Sequence, residues 1–178
     1  MNGTENRISR RVLLQRAIAG AWLAATGALA AEGEGKTPAV ISPLMRRVSL
    51  YISHALQNPL PDNVTEAAKH HLIDTLSSMI SGSRLLPGEK AIAYIKNQGG
   101  KPEACVAGSR ILTTVVNAAL ANGMLAQADE TDDSHAPSLT HPGCAIVPAA
   151  LAMAERMQCD GTTLLRAVTL GYDIGTRA

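Results

Sequence analysis

A chain of 178 residues with no phenylalanine, and with a single tryptophan at Trp22, cannot build its interior from large flat side chains. Its core must be assembled from Ala, Val, Leu, Ile and Met, in a sequence that is 46 % apolar. Such small side chains stabilise a fold when backbones approach closely. Helices packed ridge into groove achieve this better than a β-sandwich. The expected fold class is therefore all-α, a bundle-like domain of about six helices. Charged residues make up 17 % of the chain and the formal net charge is +1, which suits a folded rather than a disordered protein. No basic stripe runs along any expected helix, so nucleic acid is not an expected partner.

The first thirty residues read as an address rather than as part of the fold. Arg7, Arg10, Arg11 and Arg16 lead into "AIAGAWLAATGALAA", an uncharged run shorter than the roughly 20 residues a membrane-spanning helix needs. A basic lead, a short apolar stretch and the small residues Ala28-Leu29-Ala30 predict a secretory signal over 1–30, cut after Ala30. "SRRVLL" resembles a twin-arginine motif, which predicts export to the periplasm and no stable membrane span after cleavage. An uncleaved tether is the alternative. Residues 31–40 read as a flexible lead, and 41–178 as the domain.

Within that domain, apolar positions recur at three- and four-residue steps. They predict helices over 41–56, from a capping box of Asn63 and Glu66 to Ser81-Gly82, over 89–97, from Thr113 or Thr114 to 128, over 144–157 with Pro148 in its first turns, and from a Thr162 cap onward. In the fourth of these, Val115, Val116, Ala119, Leu120, Met124 and Leu125 form the expected inner face. "ACVAGS" reads as a brief extended segment. Cys105, Cys144 and Cys159 are too few and too scattered for a disulfide framework, and read as small buried hydrophobes. His70 and His71 are neighbours on one helix, about 100° apart, and read as ordinary surface or core histidines. The last helix runs into "GYDIGTRA" without a capping residue, from which the chain is expected to be a piece of something longer.

Chemistry concentrates in "DETDDSHAPSLTHPG", residues 129–143. Asp129, Glu130, Asp132 and Asp133 crowd four carboxylates together, an arrangement that needs cations, hydrogen-bond donors or a metal to stabilise it. His135 and His141 are the groups of this stretch suited to exchanging protons near neutral pH. Three readings follow from the residues alone: a solvated acidic loop, a metal site, or an acid–base site in which carboxylates orient a histidine. The spacing matches no familiar metal motif, and it does not choose among the three.

The stretch "NGMLAQADETDDSHAPSLTHPGCAIVPAALAMAE", followed by "GTTLLRAVTLGYDIGTR" and preceded by "HHLIDTLSSMISG", resembles the signature region of the MmgE/PrpD family. That family includes 2-methylcitrate dehydratase, cis-aconitate decarboxylase and related lyases and epimerases. The resemblance implies an all-α domain built from the two ends of a much longer chain, with an α/β lid between them, of which this sequence matches the N-terminal portion. It implies a small hydroxy-polycarboxylate substrate, no metal, no organic cofactor, and commonly a homodimer. It places a catalytic histidine at His141, a hydroxyl at Ser134 where relatives often have Thr, and an acid at Glu130 where Asp is usual. Gln127 stands where a histidine is common. Asp132, Asp133 and His135 are then substrate-binding or supporting residues of the loop. The lysine and second histidine expected from the lid have no counterpart here. A non-catalytic exported helical module, or an inactive fragment of such an enzyme, is the alternative.

Overall fold

The reason the helices can lie so close shows first at two glycines. A Cβ on Gly82 would overlap the carbonyl oxygen of Leu125, and one on Gly88 would overlap the carbonyl oxygen of Gly82. Backbones therefore meet where larger residues would hold them apart. The computed structural model describes residues 41–55 and 57–177, and from Leu44 onward they form one unit. The stretches expected to be a signal (1–30) and a flexible lead (31–40) lie outside the described residues.

The described residues form six helices and one two-stranded ribbon. The order is α1 (Pro43–His54), α2 (Asp62–Gly82), α3 (Leu86–Gln98), β1 (Ala104–Cys105), β2 (Leu112–Thr113), α4 (Val115–Ala128), α5 (Gly143–Met157) and α6 (Gly161–Gly175). The all-α expectation holds. The strands are antiparallel, with Ala104 opposite Thr113 and Cys105 opposite Leu112. Among the described residues no helix is long and apolar enough to cross a membrane.

Helix α4 is the centre of the packing, with α2, α3 and α5 laid against it. Its inner face is Val115, Ala118, Ala121, Asn122, Leu125 and Ala126. Met79, Ile95, Val106, Val147 and Val168 close over it from the neighbouring elements. Each fully buried side chain of this size stabilises by about 1.5–3 kcal/mol. The ribbon is pinned to this centre by polar contacts. Asn122 Oδ1 accepts from the Ala107 N–H at 2.9 Å, and its Nδ2 donates to the Cys105 carbonyl at 3.0 Å. Glu155 on α5 accepts from the Cys105 N–H at 2.6 Å.

Several local expectations are corrected. Helix α2 starts at Asp62 behind Pro61 with no side-chain cap, and Glu66 pairs with Lys69 at 2.6 Å instead of closing a capping box. Its end does not use a left-handed residue, since Ser83 is right-handed at φ −61°; Gly82 is required by the close approach to α4. Helix α3 begins three residues before Glu89, with Pro87 in its first turn. The cap of α6 is Asp160, which accepts from the Thr163 N–H at 2.8 Å, and Thr162 lies inside the helix. Pro148 lies beyond the first turn of α5 and removes the N–H that the Cys144 carbonyl would otherwise receive. A Cβ on Gly123 would stand 2.9 Å from that same oxygen. On α4, Val116, Leu120 and Met124 are exposed rather than core. Helix α1 buries no residue, and Tyr51 ties it to α6 by donating to Asp173 at 2.7 Å. Cys105 and Cys144 are half-buried and Cys159 is exposed, so none is the fully buried hydrophobe expected.

Candidate functional site

The loop from Asp129 to Pro142 leaves α4 through Glu130, whose backbone is left-handed at φ 53°. Its tip is a tight turn. The His135 N–H donates to the Thr140 carbonyl at 2.8 Å, and the Ser138 N–H donates back to His135 at 3.2 Å. Leu139 at that tip is also left-handed and is exposed. The loop then enters α5 at His141-Pro142-Gly143.

The two consecutive aspartates of this loop serve different histidines. The Asp132 carboxylate is fully buried, and neither oxygen accepts from a nitrogen or hydroxyl donor. The imidazole of His141 lies beside it, with Nδ1 3.7 Å from Oδ1, just beyond hydrogen-bond range. The imidazole itself is half-exposed. Burying a carboxylate costs several kcal/mol unless neighbouring groups offset it, and the groups beside this one are the His141 imidazole and the Cys144 thiol. The Cys144 thiol beside it is pushed up to about 11 by burial first, and then by the Asp132 carboxylate. Its Sγ donates to the His141 carbonyl at 3.1 Å.

Asp133 is placed differently. It accepts from the Gly143 N–H at 2.8 Å, from the Tyr172 hydroxyl at 2.7 Å, and lies 3.0 Å from His71 Nδ1. The His71 and Tyr172 rings pack at a tilt, with centroids 4.5 Å apart and planes 31° from parallel. Burial, followed by the hydrogen bond to Asp133, raises the Tyr172 phenol far above its usual value, so it stays a donor. These contacts explain the glycine of the His-Pro-Gly triplet. A Cβ on Gly143 would sit 2.5 Å from Asp133 Oδ1 and 2.6 Å from Thr75 Oγ1.

The remaining residues expected at the site are spread around this pair of aspartates. Glu130 lines an open groove of about 590 Å³ together with Gln127, Cys144, Leu120 and Met124. His135 engages Ser138 Oγ through Nδ1 at 2.7 Å and faces a separate cavity that it shares with His71 and Tyr172. Ser134 is exposed and belongs to neither histidine pair. Among the described residues no group of three or more His, Cys, Asp or Glu side chains is arranged to hold a metal ion.

His71 and Tyr172 are the site residues that sequence reasoning missed. One signal pointed to Tyr172, which sits in the Gly-Tyr-Asp stretch already noted as part of the family pattern. For His71, the family resemblance of "HHLIDTLSSMISG" marked the helix but not the residue, because the group that gives it a role lies on a distant loop.

The MmgE/PrpD N-terminal domain matches residues 46–178. A cis-aconitate decarboxylase-like protein, oryM, of Aspergillus oryzae is 27 % identical over 134 residues, covering 71 % of this chain and 28 % of that protein. A cis-aconitate decarboxylase of Aspergillus terreus is 28 % identical over 133 residues, covering 71 % of this chain and 27 % of its own. The chain thus spans little more than a quarter of the length of the relatives it matches. With its loop, its His-Pro-Gly helix entry and its Gly-Tyr-Asp helix all inside the matched region, the chain belongs to the MmgE/PrpD family.

Proposed function

We propose that this chain carries the proton-transfer half of a lyase acting on a small polycarboxylate, by elimination of water or of carbon dioxide. The observation that supports it is the buried Asp132 carboxylate 3.7 Å from the imidazole of His141. Both reactions move a proton at a carbon next to a carboxylate, and a carboxylate-backed histidine is suited to that step. His141 is the proton-transfer group. Asp132 acts through it, orienting the ring and stabilising the imidazolium that forms when a proton is taken. Glu130, on the groove wall with Gln127, and Ser134, exposed on the loop, are the residues available to hydrogen-bond substrate. The relatives bear the name cis-aconitate decarboxylase, which makes cis-aconitate the first substrate to try beside 2-methylcitrate. Export to the periplasm by the twin-arginine route is proposed from the N-terminal sequence alone.

The test offers cis-aconitate, 2-methylcitrate and citrate to the chain and follows the ring signals of each histidine by NMR, together with substrate loss. The expected result is selective perturbation of His141 by at least one of the three, removed in Asp132→Ala. Any turnover should fall about 10²- to 10⁴-fold in His141→Ala, the usual worth of a general acid–base group. Failure of all three acids to perturb His141 at millimolar concentration overturns the reading.

A further inference from the structure

His71 is held as an oriented base is held. Asp133 lies 3.0 Å from its Nδ1, and the Tyr172 ring packed at a tilt against it fixes the plane of the imidazole. An ionised carboxylate only accepts, so it places the N–H of His71 on Nδ1 and leaves Nε2 for another partner. His135 Nδ1 is also engaged, by Ser138 Oγ at 2.7 Å, an oxygen that can either donate or accept. Both histidines line one cavity of about 290 Å³, and Val64, Ala67, Ala68 and Val168 supply its apolar wall. That volume is at the small end of ligand pockets, which run from roughly 300 to 1,000 Å³.

The acids around this cavity are already satisfied. Asp133 has the three donors described above. Asp173, which also lines the cavity, is paired with Arg177 Nε at 2.6 Å and accepts from the Tyr51 hydroxyl at 2.7 Å. Asp74 on α2 reaches Tyr172 electrostatically, and His70 beside it is exposed. No lining carboxylate is left over to receive a cation, whereas two imidazole edges are left to receive an anion.

We propose that this cavity binds a short-chain monocarboxylate, its carboxylate held between the Nε2 atoms of His71 and His135 and its alkyl chain against Val64, Ala68 and Val168. Nε2 of His71 donates to the bound carboxylate while Nδ1 remains on Asp133. The site stands on Asp133, not on Asp132, so it does not depend on the lyase reading.

Butyrate is the probe. Titrated into the chain, it should move the ring signals of His71 and His135 together and leave those of His54 and His70 in place. His71→Gln and His135→Gln should each weaken binding at least tenfold, whereas His141→Ala should leave it unchanged. His135 is on the loop tip, so its variant serves where His71→Gln does not fold. Absence of response at tens of millimolar butyrate, or a response unaltered in His135→Gln, overturns the proposal.

Discussion

Asp133 Oδ2 lies 3.0 Å from His71 Nδ1 and also accepts from the Tyr172 hydroxyl, so one carboxylate oxygen joins the long second helix to the last one. Its other oxygen holds the first N–H of α5, where a negative charge also favours the helix dipole. Three elements therefore meet on a single side chain.

Asp133→Ala should destabilise the chain by about 3 kcal/mol, since it strands a backbone N–H and a phenol in a mostly buried place. Tyr172→Phe keeps the ring contact and should cost about 1 kcal/mol. Chemical denaturation of both and of the double variant checks this. The double variant should lose less than the sum, because the two groups share one bond.

The glycines separate into two kinds. Gly82→Ala and Gly143→Ala drive a methyl group into backbone or into the Asp133 carboxylate, and each should lose about 1–3 kcal/mol or more. Gly161→Ala, at the start of α6, meets nothing within 4 Å and should gain about 0.4–1 kcal/mol. Shifts of the urea midpoint in opposite directions are the expected outcome.

Thiol chemistry should follow the same map. Burial pushes the Cys105 and Cys144 thiols up to about 11, whereas Cys159 is exposed. At neutral pH a disulfide reagent should label Cys159 first and the other two slowly. Raised thiols favour the protonated folded chain. Their contribution is complete below the unfolded thiol value of about 8.5 and is lost as pH rises towards 11. Stability measured across that alkaline window should fall less steeply in Cys105→Ser.

An acid limb comes from Asp160, whose carboxyl is held below its usual range by the backbone N–H of Thr163. Its stabilisation is present above the unfolded value of about 3.9 and is lost as pH falls through the lower folded one. Asp160→Asn keeps an acceptor at the cap and should remove that part of the acid dependence, read from thermal unfolding at a series of acid pH values.

The six helices were legible because their apolar periods are long, and the small-residue composition pointed to close packing. The inner face of α4 was not. In "VVNAALANGMLAQA" almost every position is apolar or small, so no polar side marks the outside. The burial of Asn122, needed to hold the ribbon, runs against a simple hydrophobic pattern. Caps failed for a related reason, since Asp160 and Thr162 both carry suitable oxygens and only the backbone geometry chooses. At the site, the Asp132–His141 pair lies within one loop and its residues could be named from sequence. His71 could not, because its partner comes from the other side of the fold.

Two neighbouring carboxylates in this loop answer to separate imidazoles, since adjacent side chains leave the chain in different directions. A substitution at either position can thus retune one imidazole while the other keeps its anchor. A residue inserted between α4 and the aspartates would displace both carboxylates from their imidazoles at once. The spacing of that loop is consequently far less free to drift than its exposed tip.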